Sequence, residues 1–409
     1  MTASRPGNQD LNTTGSDYSG SVVSMWRYAG LVLGVLAALH FLVDVVAGTT
    51  SPLWPGLERK LGLPNRGLLW VYVVWSISTS VCQLIFGWWA DRWNTRWLVW
   101  AGPLVGILSI NLVGYADAAW QLAVLFALGG LGIAAFHPEA AAMAGQSLPN
   151  HRSRAMAVFA LVGYLGQAVG PYYSGRMTDA MGYEGLSYGI VWQLPILAVM
   201  TIAFIFVGKR VQVRGHTIAS TGKIDIGLVT LLLAIGTFRI LPALGVPLAI
   251  AYLFDSSDAS TAVIGAVQST FMAGIGGGAM CCAAFMKRDW ERRVLIGFPV
   301  GAAVVLAPLS FVDGWGLITL VALAGVMLGT TMPVYIGYAQ QLMPERPRVA
   351  SAITMGASWG ISGGIVAGAV WLLSQVDALP WIFSVFAVCS IVSSALSVLM
   401  PVPGNQESG

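Results

Sequence analysis

Ionisable side chains stand at five places where the surrounding sequence is otherwise apolar. His40 and Asp44 lie in the first long hydrophobic run, His137 and Glu139 flank Pro138 in the fourth, and Arg239 lies in the seventh. A charge at the centre of a hydrocarbon layer costs about 2.5–3.5 kcal/mol on insertion scales, so such residues mark a site by default. Residues four apart share one helix face, which lets His40 touch Asp44. Histidine titrates near neutral pH, and a desolvated carboxylate can hold a proton there. Asp44, His40 and Glu139 therefore read as a titratable ladder, with His137 beside it. Arg239 keeps its charge and would bind an anionic group or neutralise Asp44. By helix rise Asp44 stands roughly 25 Å along from Arg27, and Arg239 about 21 Å along from Asp225, a similar depth. The other reading of Asp44 and Arg239 is a structural ion pair that locks two bundles together. For Glu139 it is a pairing with Arg152 or Arg154.

The elements that must position these groups follow from a repeat. The offset of 195 residues that maps Asp44 onto Arg239 also maps Pro52 onto Pro247, Trp120 onto Trp315, Pro138 onto Pro333, Pro149 onto Pro344 and Arg92 onto Lys287. The chain has 409 residues, 56% hydrophobic and only 10% charged. Soluble domains carry about 25% charged residues, so these charges cannot cover a wet surface of that size. The apolar runs are about 18–25 residues long, enough for a helix to cross roughly 30 Å of hydrocarbon. Backbone groups must be satisfied within each segment there, so helices are expected. Alternation over about ten residues, the mark of a barrel strand, is not seen.

Twelve spans are expected: 27–50, 67–89, 97–115, 119–145, 153–176, 187–208, 225–252, 261–286, 293–312, 315–341, 349–374 and 380–401. Residues 1–24 read as a disordered tail, 25–208 as a first six-helix bundle, 209–224 as a linker, 225–401 as a second bundle and 402–409 as a short tail. Six spans per half make the repeat parallel, with Asp44 and Arg239 facing each other across a midplane cavity, an architecture suited to transport. With both termini in the cytoplasm, sixteen basic residues fall inside and four (Arg59, Lys60, Arg66, Arg176) outside, an asymmetry that fixes the orientation. A net charge of +3 gives no reason to expect nucleic acid. Cys82, Cys281, Cys282 and Cys389 lie in apolar runs without metal-ligand spacing and read as buried small residues.

Gly87-Trp88-Trp89-Ala90-Asp91-Arg92-Trp93-Asn94-Thr95-Arg96 resembles the G-x-x-A-D-R-x-G-R-[KR] loop of the major facilitator superfamily, with Asn94 where glycine is usual. Lys287 to Arg293 is a degenerate copy in the second half. Gly163-x-x-Gly166-x-x-x-Gly170-Pro171 is similar to a motif of that superfamily's proton-coupled exporters, although glycines in a membrane helix also serve plain packing. His40-Phe41-Leu42-Val43-Asp44 and Phe136-His137-Pro138-Glu139 resemble the fosmidomycin-resistance branch. The resemblance implies an all-helical membrane fold of two six-helix repeats. It implies gating by the loop of Gly87, Asp91, Arg92 and Arg96, with Asp91 bridging spans 2 and 11, and by Gly166, Gly170 and Pro171.

Gln83, Tyr164, Gln167, Tyr335, Tyr338 and Gln340 are the polar groups that could orient a solute beside Arg239; polar packing between helices is the alternative for each. These residues together point to a secondary transporter, most simply a monomer in the inner membrane, exchanging a small anionic or amphipathic solute for protons. Import with protons and a non-transporting receptor on the same fold are the competing readings. No nucleotide loop, metal cluster or nucleophile triad is apparent, so neither an enzyme nor a cofactor or resident metal is expected.

Overall fold

The computed structural model describes residues 15–64, 66–90, 92–148, 152–208, 225–344 and 347–402. The expected linker, Asp91 and most of both tails lie outside these residues. Twelve helices are long and apolar enough to cross a membrane. The first six spans are Gly30–Thr49, Leu69–Ala90, Leu98–Tyr115, Ala119–Ser147, Arg154–Met181 and Tyr183–Val207. The last six are Ile226–Asp255, Thr261–Phe285, Glu291–Phe311, Gly314–Leu342, Val349–Gln375 and Leu379–Val398. No strand occurs among the described residues. The helix of span 1 runs back to Gly15, so residues 15–24, read as part of a disordered tail, are helical.

Small residues let these helices touch backbone to backbone. A methyl group on Gly102 would come within 2.5 Å of the Gly132 carbonyl oxygen, joining spans 3 and 4. In the second half a methyl on Gly325 would lie 2.3 Å from Phe271 O, and one on Gly274 2.4 Å from Ala322 O, joining spans 8 and 10. Two spans are interrupted by π-helical turns, Ile77–Val81 in span 2 and Ala352–Ala357 in span 11. These turns pack against each other across the two halves, and single π turns recur at functional places in helices.

A set of hydrogen bonds among the described residues joins the halves on the side away from the termini. A short helix, Trp54–Lys60, carries Glu58 into a buried position after span 1. Its carboxylate accepts from Tyr252 Oη at 2.6 Å and from the backbone N–H of Arg66 and Leu68, each at 3.0 Å. Arg66 has a φ of 67°; its guanidinium lies 4.2 Å from the centre of the Tyr252 ring and donates to Ser374 at 2.9 Å. Arg59 pairs with Asp255. Gln268, fully buried, donates to Ser51 O at 3.3 Å and to Pro247 O at 2.8 Å. The Ala262 N–H at the start of span 8 donates to Asp179 of span 5 at 3.2 Å. Towards the termini, by contrast, the second part of span 2, Cys82–Ala90, buries no residue.

Candidate functional site

Span 1 sets His40 and Asp44 one turn apart on the face that meets spans 4 and 5. His40 Nε2 lies 3.3 Å from Asp44 Oδ2. From span 4, His137 Nε2 lies 3.4 Å from Asp44 Oδ1. From span 5, Gln167 Nε2 donates to Oδ2 at 3.3 Å. All three ionisable groups are at least largely buried, and among the described residues nothing makes a well-formed hydrogen bond to Oδ1. The histidine rings meet edge to face, 5.1 Å between centroids, and His40 stacks on Phe159 at 4.0 Å.

Each imidazole is also held from behind. His40 Nδ1 lies 2.8 Å from the Phe159 carbonyl oxygen, and His137 Nδ1 lies 2.8 Å from the Ile133 carbonyl oxygen. Glycines make this closeness possible. A methyl on Gly163 would fall 2.3 Å from His40 Cε1, one on Gly166 2.3 Å from Phe41 O, and one on Gly170 2.5 Å from Val45 O. The glycine motif of span 5 thus presses that helix onto span 1 at the turns that carry His40 and Asp44. Pro171 carries the contact onward, since a methyl on Gly265 of span 8 would lie 2.1 Å from Pro171 O.

The structure brings together Asp44, His40, His137 and Gln167, with Tyr164 in electrostatic reach of Asp44. It does not place Glu139 among them. Glu139 is buried and accepts from Thr95 Oγ1 at 2.7 Å, tying span 4 to the loop before span 3. The expected ladder is therefore a compact cluster in which His137 takes the place given to Glu139. The turn at Pro138 explains this: residue 137 projects towards span 1, and two residues on the helix has rotated away by about 200°.

The expected meeting of Asp44 with Arg239 does not occur. Arg239 is buried inside the second half, where Nη2 donates to Leu295 O and Ser397 Oγ, each at 3.0 Å, and the guanidinium lies 5.2 Å from the Tyr335 ring centre. Among the described residues, Nε and Nη1 find no hydrogen-bond partner. Equal depth and pseudo-symmetry located Arg239 along its helix but not around it, and its long side chain turns towards spans 9, 10 and 12. The hydroxyls of Tyr335 and Tyr338 are likewise spent within that half, on Leu232 O and on Pro401 O. Gln340 is exposed and donates to Ser351 Oγ at 2.9 Å. Gln83 is half-buried and donates to Thr79 O at 2.7 Å.

Of the loop between spans 2 and 3, Arg92 folds back on Trp88, 4.0 Å from the ring centre, and donates to its carbonyl at 3.0 Å. Arg96 is half-buried. Gly87 sits beside Pro138, to whose Cβ an added methyl would come at 3.8 Å. Sequence reasoning missed Glu58, Tyr252 and Gln268. The signal available was a cluster of basic residues, Arg59, Lys60 and Arg66, in a chain poor in external charge.

Comparisons with known proteins bear on the family and the fold. The sequence profile described as Major Facilitator Superfamily matches residues 36–220. The uncharacterized MFS-type transporter YfnC of Bacillus subtilis is 25% identical over 398 residues, covering 90% of this chain and 92% of the relative. The fosmidomycin resistance protein of Escherichia coli is 20% identical over 381 residues, with the same coverage, 90% and 92%. The multidrug resistance protein MdtG of Enterobacter lignolyticus is 24% identical over 314 residues, covering 72% of this chain and 73% of the relative. The solved structure of the nucleoside transporter NupG shares the fold, with a TM-score of 0.69 at 12% identity, covering 90% of this chain and 99% of that one. With its twelve spans, the profile match over residues 36–220 and its likeness to transporters along most of its length, the chain resembles the major facilitator superfamily and reads as a membrane transporter rather than an enzyme.

Proposed function

We propose that this transporter exports a small anionic or amphipathic solute in exchange for protons, by rocking its two halves about a cavity between them. The observation that carries the coupling is Asp44. It is buried, and among the described residues its only ion-pair partners within 4 Å are His40 and His137. A carboxylate so placed needs a cation, and imidazoles supply one only by taking up protons. Tyr164 and Gln167, with Gln83, offer aromatic and amide surface to a solute in the first half. Tyr164 reaches the second half, since a methyl on Gly276 would lie 3.0 Å from its Cβ. The resistance proteins among the relatives favour efflux.

The basic loops favour cytoplasmic termini in the inner membrane, and one chain supplies a complete pair of halves. The hydrogen-bonded seam would then close the outer side, with the cavity open to the cytoplasm. A thermal-shift screen of the purified protein against organic anions and phosphonates would find a ligand, because binding raises apparent stability by mass action. In everted vesicles energised to an acid lumen, adding that ligand should alkalinise the lumen. Acidification would mean proton-coupled import instead. Asp44→Asn should lower the proton response at least tenfold while the thermal shift persists; an unchanged response would refute the coupling role.

A further inference from the structure

Both imidazoles of the cluster have their proton positions dictated by the backbone behind them. A carbonyl oxygen can only accept, so the 2.8 Å contacts to Phe159 O and Ile133 O require a hydrogen on Nδ1 of His40 and of His137. Which nitrogen of a histidine titrates is set by the bond its other nitrogen makes. The titrating atom of each ring is therefore Nε2, and each Nε2 faces a different oxygen of the same carboxylate. Without added protons, two nitrogen lone pairs confront an anion. One proton, whether on a ring or on the carboxyl group, fills only one of the two contacts. Filling both needs two.

We propose that the Asp44 cluster is a two-proton site, in which His40 Nε2 and His137 Nε2 each take up one proton while Asp44 stays ionised. This rests on the proton-coupled reading and deepens it, by giving the coupling ion a number and an address. The balance is simple. Two N–H bonds form, none breaks, and the cluster passes from a net charge of −1 to +1. Among the described residues the Oδ1 oxygen finds no well-formed bond, whereas Oδ2 already accepts from Gln167. A proton on His137 therefore supplies the oxygen in greater need, and a proton on His40 adds a second donor to the other. The other groups facing the cluster are Tyr164 and Gln167 of span 5 and the rings of Phe136 and Phe159. None of them brings a second permanent charge. Because the two rings share one carboxylate, they titrate in two steps that belong to the cluster rather than to either residue.

The test is nitrogen NMR of the histidine side chains across a pH titration. The chain holds four histidines, so His151→Gln with His216→Gln leaves only the pair in the spectrum with the cluster untouched. If that double variant fails to fold, the native chain serves, with His40→Asn and His137→Asn used in turn for assignment, since asparagine keeps a donor where Nδ1 stands. The expected result is an imidazolium spectrum for both rings in acid. In base, after two steps, both should show a protonated Nδ1 and a bare Nε2, the reverse of free histidine. A bare Nδ1 in either ring, or only one ring titrating, would overturn the proposal. The spectrum reads proton positions whether or not they drive flux. The predicted spectrum with no proton response in vesicles would retire antiport and leave the two-proton site standing.

Discussion

Asp44 and Arg239 are both buried charges, yet their surroundings ask different things of them. Asp44 is clasped by groups that can change charge, whereas Arg239 is held by a carbonyl, a hydroxyl and a ring that cannot. Burying a charge is costly, and among the described residues Arg239 has no acidic partner to offset that cost. Arg239→Met should therefore fold with unchanged or raised thermal stability and keep at least half of the solute flux. A complete loss of flux with intact folding would return Arg239 to the transport path. The sequence showed that both residues were unusual, because type and depth can be read from a run of letters. Azimuth around a helix could not be read, and azimuth separates a residue that faces a partner from one that faces its own bundle. His137 illustrates the reverse case: weak as an isolated histidine, it gains its role from span 1 being within reach.

At the scale of elements, the glycines of span 5 matter most. Their spacing was legible, but whether it served packing or exchange was not. The structure shows that the packing itself brings span 5 onto the turns holding His40 and Asp44. Gly170→Val would drive carbon into the Val45 carbonyl and should lower stability by about 1–3 kcal/mol, as overpacking does. It should also reduce proton-coupled flux, read by melting and by vesicle assay together. The paired π turns of spans 2 and 11 had no signature in the sequence, because a one-residue shift in hydrogen bonding needs tertiary packing to define it. The same holds for the helix carrying Glu58. Burial pushes its carboxyl above the usual range, although Tyr252, Arg66 and Leu68 all donate to it. A raised carboxylate contributes most when protonated, below its ordinary value of 4.5, and that contribution is lost as pH rises through the raised value. The melting temperature of the wild type should thus fall over that interval by more than that of Glu58→Gln, which cannot ionise. Equal slopes would show that Glu58 does not titrate there.

For the whole molecule, composition and the internal repeat made the number of spans and the parallel arrangement legible, since both follow from the cost of unsatisfied backbone in lipid. Which side is closed was not legible, because a carrier's sequence must satisfy more than one arrangement. Here the closed side is the one away from the termini, joined through Glu58–Tyr252, Arg59–Asp255 and Gln268. Cysteines in place of Arg59 and Asp255, joined by a short bis-maleimide, should stop solute flux while leaving the ligand-induced thermal shift in place. Flux that continued after linking would mean that these ends need not separate. Removing the Arg59–Asp255 pair alone should change stability by less than about 1 kcal/mol, because one partner is largely exposed.

The titratable cluster lies wholly within spans 1 and 4, and its repeat-related counterpart in the second half, Arg239, cannot exchange a proton. Such one-sidedness separates how far a gradient can be built from how fast. Substitutions beside Asp44 should alter the accumulation ratio reached at steady state. Those confined to spans 7 to 12 should alter only the time taken to reach it.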